Sequence, residues 1–150
     1  MNHYARFGLM MATSFVIMYA VMFLNVDVLD HVMLSPTRTY MTFLMIAPMA
    51  VVMLGFMWGM YKNKAYNYTI LGVAVVTFIF CLAGLRQQWL VSDVQWMKAM
   101  IPHHSSAIMV SQKAHLKDPE AIKLAEEIIE AQEREIAEMK RMIYRLENQE

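Results

Sequence analysis

Cysteine is almost missing from this chain: the single one, Cys81, sits inside an apolar run. That excludes an intramolecular disulfide and argues against a thiolate metal cluster built within one chain. Charge is almost missing from the first 85 residues, which hold four Lys or Arg and two Asp or Glu, against nine and eleven in residues 86–150. No basic block points to nucleic acid. There is no Gly-rich phosphate loop, no Cys-x-x-Cys and no Ser/His/Asp or Cys/His nucleophile arrangement. Nor is there any Glu-x-x-His pair, which di-metal carboxylate bundles require on facing helices. The common catalytic devices are therefore lacking, and the chain reads as a non-enzyme.

What fills the space is hydrocarbon and thioether. Hydrophobic residues make up 58% of the 150, and 17 are methionine, twelve of them before residue 61. Three apolar runs, at about 7–24, 40–60 and 68–85, are each long enough to cross a bilayer core, which takes roughly 20 helical residues. Tyr40, Trp58, Tyr61, Tyr66, Tyr68 and Trp89 fall near their ends, as an interfacial aromatic belt requires. Arg6, Lys62 and Lys64 mark the N-terminus and the second link as cytoplasmic. Three spans then carry the C-terminal part outward, to the periplasm if the membrane is a bacterial inner membrane. The predicted division is a three-span region, 1–88, and an outward-facing hairpin domain, 89–150.

The hairpin is written in caps. Ser92 with Gln95 predicts a helix from about Asp93 to Leu116, with Pro102 removing one backbone hydrogen bond on the way. Asp118-Pro119-Glu120 reads as N-cap, first-position proline and first-turn acid of a last helix over 119–147. Ile122, Ala125, Ile129, Gln132, Ile136, Met139, Ile143 and Leu146 alternate at three and four along it. Two helices cannot bury both faces, so pairing of hairpins into a four-helix bundle by homo-oligomerisation is expected. Gly55 and Gly59 form a small-xxx-small pair in the second span. The fold class is thus an all-α membrane protein.

The chemistry gathers where the apolar region ends. Met97, Met100, His103 and His104 bring two thioethers and two imidazoles to about one helical stripe. Thioether sulfur selects Cu(I), and imidazole suits copper. In an antiparallel hairpin Met139 and Met142 can face this stripe, with Gln132 or Glu135 orienting an imidazole. Read without a metal, the methionines are core residues and the histidines line a polar seam. His31 and Met33, in the loop after the first run, offer one more imidazole and thioether, although loop histidines are more often simply solvated.

The pattern Asp93-x-x-Trp96-Met97-x-x-Met100-Ile101-Pro102-His103-His104-x-x-Ala107-Ile108 resembles the signature of the ferritin-like family called domain of unknown function 305. So does Leu124-Ala125-x-x-Ile128-Ile129-x-x-Gln132-x-x-Glu135-Ile136-x-x-Met139. The resemblance implies an exported helical bundle associated with copper binding and resistance. Its matching positions are Met97, Met100, His103, His104, Glu135 and Met139. Three spans ahead of the bundle depart from most relatives.

Met41, Met45, Met49, Met53 and Met57 recur every four residues in the second span. They form either a thioether ladder able to pass Cu(I) through a bilayer or well-packing apolar filler. Three readings follow: an inner-membrane protein that sequesters or transfers Cu(I) with an unidentified delivery or export partner, a copper conductor using the ladder, and a metal-free oligomerisation module.

Overall fold

The computed structural model describes residues 2–148 and, among these, contains five α-helices and no strand. They are α1 (His3–Val21), α2 (Pro36–Phe56), α3 (Lys64–Gln87), α4 (Asp93–Lys113) and α5 (Pro119–Glu147), with a 3-10 turn at Leu29–His31. Each apolar run begins about four residues into a helix; α3 contains the whole third run, whereas α1 ends at Val21 and α2 at Phe56, before their runs do. For α3 the cause is a cap: the Asn63 side chain accepts the Ala65 and Tyr66 N–H groups at 3.0 and 3.3 Å. The two hairpin caps form as the sequence predicts. Ser92 Oγ accepts from Gln95 N–H at 3.4 Å and Asp118 Oδ1 from Ala121 N–H at 2.9 Å. α4 continues through Pro102, which is buried.

The chain forms two compact units. One contains the residues up to Val21 with Thr37–Leu90; the other contains Met22–Pro36 with the chain from Val91 onward. The later boundary falls between Leu90 and Val91, and the earlier one puts the segment between α1 and α2 with the hairpin.

In the first unit α1, α2 and α3 are each long and apolar enough to cross a membrane. Phe7, Ala50, Leu54, Tyr61 and Ala74 make their shared core. One end is tied by a polar knot. Asn67, fully buried, donates from Nδ2 to Tyr61 O at 2.8 Å, while the Tyr4 hydroxyl accepts from Asn63 N–H at 3.0 Å. The Tyr4 hydroxyl also lies 3.0 Å from both Asn63 O and Asn67 Oδ1, one of which takes its proton. Burial, with the Tyr4 phenol beside it, pushes the Tyr61 phenol up from its ordinary value. The outward faces are apolar: Val16, Val73, Val76 and Ile79 are each at least 60% exposed. Such faces demand an apolar surrounding or a further protein surface.

Gly55 and Gly59 have open space around them, so the small-xxx-small pair meets no helix among the described residues. Gly84 is the glycine that close packing requires. A Cβ there would lie 3.0 Å from Tyr40 Cε1, and the buried Tyr40 donates its hydroxyl proton to Trp89 O at 3.0 Å. Gly84→Val is expected to cost about 1–3 kcal/mol by overpacking and to lower the melting temperature in detergent. Gly72→Ala, where nothing lies within 4 Å, should leave it unchanged.

Candidate metal centre

The second unit is held by an apolar seam between antiparallel α4 and α5. Met97, Ile101 and Ile108 from one helix and Ile136, Met139 and Ile143 from the other form its buried centre. Met33, Met100 and Met142 pack against it, half-buried. Five thioethers therefore join one cluster: Met33, Met97, Met100, Met139 and Met142. The seam arises because 97, 101, 104 and 108 share one face of α4, and 136, 139 and 143 share one face of α5.

His104 enters this seam and is 8% exposed. Its Nε2 lies 2.8 Å from Glu135 Oε2. In the tautomer that donates Nε2–H to the carboxylate, Nδ1 keeps its lone pair. Nδ1 is buried and has no hydrogen-bond partner. A buried polar atom left without a partner is rare and costly, on the order of 1–3 kcal/mol. The arrangement matches what a metal-ligating histidine needs: one ring nitrogen fixed by a carboxylate, the other free for the ion. The α4–α5 seam is rich in neutral thioethers, which suit a soft monovalent cation. Among the described residues no three His, Cys, Asp or Glu side chains converge, so a hard-ion cage of that kind is not built here.

Not every expected residue joins the cluster. His103 is exposed, with its ring 6.3 Å from that of His104. Successive helical residues point about 100° apart, so burying one of the pair turns the other outward. Gln132 is half-buried and is not among the cluster residues, whereas Glu135 takes the orienting position. The methionines of α2 do not share one environment. Met41 and Met45 are exposed, Met49 is half-buried, and Met53 and Met57 pack against the first unit's core, Met57 lying just past the helix end. A spacing of four drifts by about 40° per step, which carries the row around the helix.

The segment between α1 and α2 is the part that sequence reasoning misses. It crosses the hairpin as a strap fixed on adjacent hydroxyls of α4. Asn25 Nδ2 donates to Ser106 Oγ at 2.8 Å, and Asp27 N–H donates to Ser105 Oγ at 2.7 Å. His31 Nδ1 lies 2.8 Å from the same Ser105 Oγ, which is fully buried. Asp30 pairs with Lys140 of α5, whose ammonium holds its carboxyl below the usual range. Burial holds the His31 imidazole below its ordinary value; Lys140 adds to this, and Asp30 and Asp27 oppose it. The one local signal was the Ser105–Ser106 pair beside an apolar stripe, since buried hydroxyls need partners.

Comparison with known proteins points to the hairpin and the end of α3. The domain of unknown function 305 matches residues 82–143. An uncharacterized protein of Acanthamoeba polyphaga mimivirus is 33% identical over 134 residues, covering 87% of this chain and 86% of its own. A match of that length takes in apolar helices as well as the hairpin. No solved structure matches.

Ser105→Ala removes the hydroxyl that Asp27 N–H and His31 share. It should destabilise the second unit by about 1–3 kcal/mol and raise amide hydrogen exchange across residues 25–34, with exchange in α1 and α3 unaltered.

Proposed function

We propose, starting from the fact that the chain belongs to the domain of unknown function 305 family, that it binds Cu(I) at a bilayer surface and sequesters it or passes it on. The observation that carries this reading is His104 Nδ1, buried without a partner on the α4 face that joins the methionine-rich seam, while Glu135 contacts the other ring nitrogen. Copper here is cargo. Neutral sulfur and imidazole donors add no charge to the site, which favours a soft monovalent ion over zinc or magnesium. His104 supplies the nitrogen, and Met97, Met100, Met139 and Met142 of the seam are the thioether candidates on the two helices.

The three apolar helices, with their exposed aliphatic faces, support insertion in a bilayer. The short-loop cations put the N-terminus inside and the hairpin outside, at a bacterial inner membrane the periplasmic side. Ile122 and Leu124 of α5 remain exposed, at 39% and 57%, which supports pairing of hairpins between copies into a four-helix bundle. The changing environment of the α2 methionines favours packing over a conduit.

The test is Cu(I) binding by the full-length protein in detergent, without oxygen, read by competition with a Cu(I) chelator. His104→Ala should weaken binding by more than about 100-fold, and Glu135→Ala by about 10–100-fold. His103→Ala should leave it unchanged. Equal retention by wild type and His104→Ala would sink the His104 site, and no retention by wild type would leave a metal-free membrane module. If Met45, Met49 and Met53 changed together to Leu leave both binding and copper flux across vesicles unaltered, the row in α2 is packing.

A further inference from the structure

The first unit is one-sided in charge as well as apolar. It holds five Lys or Arg and no Asp or Glu, since Asp27 and Asp30 belong to the second unit. Three of the five, Arg6, Lys62 and Lys64, are exposed at one end. The polar knot gathers them there: the Tyr4 hydroxyl accepts Asn63 N–H at 3.0 Å, which brings the first turns of α1 against the link that carries both lysines. The unit offers these cations no carboxylate, so no charge of its own offsets theirs. Tyr66 and Tyr68, 58% and 63% exposed, follow the same link and supply phenols of the kind that lie at headgroup level.

An apolar groove of about 300 Å³ starts from this end. Phe7 lines it, and the Phe7 ring packs edge-on against Tyr61, centroids 5.8 Å apart, one residue before Lys62. From there Met11 of α1, Ala47 and Ala50 of α2, and Ile70 and Ala74 of α3 carry the groove along the helices. The alanines leave the space. The Thr69 hydroxyl beside it donates to Ala65 O at 2.9 Å and so asks nothing of an occupant. What fits is hydrocarbon along the groove with negative charge at its end. A second copy of the unit does not, because it brings only further cations.

We propose that this end of the first unit binds an anionic phospholipid, its headgroup among Arg6, Lys62 and Lys64 and one acyl chain in the groove. Lys and Arg stems lie along apolar surface while their charged heads reach outward, which suits them to a phosphate at the bilayer boundary. The inference rests on the reading that the three helices sit in a bilayer, and it is independent of copper.

Full-length protein in nonionic detergent is titrated with phosphatidylglycerol, with phosphatidylcholine of the same chains, and with inorganic phosphate as competitor. Lipid bound per chain is read by native mass spectrometry, and helical circular dichroism checks that each variant folds. Wild type should hold phosphatidylglycerol about tenfold or more tightly than phosphatidylcholine, without displacement by phosphate. Arg6→Gln, Lys62→Gln and Lys64→Gln should each reduce that preference about fivefold and together abolish it. Val73→Trp, which fills the groove from its open side, should weaken both lipids alike. Equal retention of the two lipids by wild type, or an unchanged preference in the triple variant, overturns the headgroup site. Displacement by phosphate overturns the lipid in favour of a free anion. If Val73→Trp retains phosphatidylglycerol as wild type does, the groove holds no chain and the site as drawn falls. Should Val73→Trp misfold, wild type decides the same point: a short-chain phosphatidylglycerol should bind more weakly than a long-chain one, and equal binding overturns the groove. Flotation with phosphatidylcholine vesicles tests the bilayer reading separately. Protein that fails to float overturns both, whereas protein that floats but shows no headgroup preference overturns the lipid site alone.

Discussion

The second unit depends on one constraint: the apolar seam between α4 and α5 is wider than two helices can cover. Ile101, Ile108, Ile136 and Ile143 close its centre, but the flank of α4 that carries Ser105 needs a third layer. The strap is that layer. It supplies Met33 to the apolar side and hydrogen-bond partners to Ser105 and Ser106. The same covering makes the neighbourhood dry enough for an unpartnered ring nitrogen to remain buried on His104. Packing and ligand chemistry are therefore not alternatives here. The methionines that fill the seam are the same residues whose sulfur the proposed Cu(I) reading draws on.

Much of this was legible from periodicity and caps. Ser92 and Asp118 start α4 and α5 because their side chains satisfy N–H groups that no helical turn can satisfy, a local rule visible in a few residues. The α5 seam is readable for the same reason: Ile136, Met139 and Ile143 repeat at helical spacing whatever their partner. Glu135 is within reach of His104 because antiparallel helices of known ends have a nearly fixed register.

What was not legible is non-local. Whether His103 or His104 turns inward depends on a rotation of less than a third of a turn, which the seam decides and a motif does not. The strap's docking joins His31 to Ser105 and Asp30 to Lys140, residues with no shared periodicity. Its own composition, with exposed acids and scattered valines, reads as an ordinary connection. The α2 methionines mislead in the opposite way. Their spacing is regular, but a regular step of four does not match the helix repeat, so a row in sequence becomes a spiral in space.

The second unit's division between two distant stretches of chain also sets the order in which it can form. α4 and α5 contact each other across a five-residue turn, so their pairing is local and fast. The strap precedes them by two long apolar helices, and its contacts span 74 residues from His31 to Ser105. It emerges from the ribosome first and docks last. Until α4 and α5 are complete, Met33 and His31 have no surface to rest on, and the thioether seam lies open on one side. The second unit's strap-covered seam therefore forms only once α5 has been made.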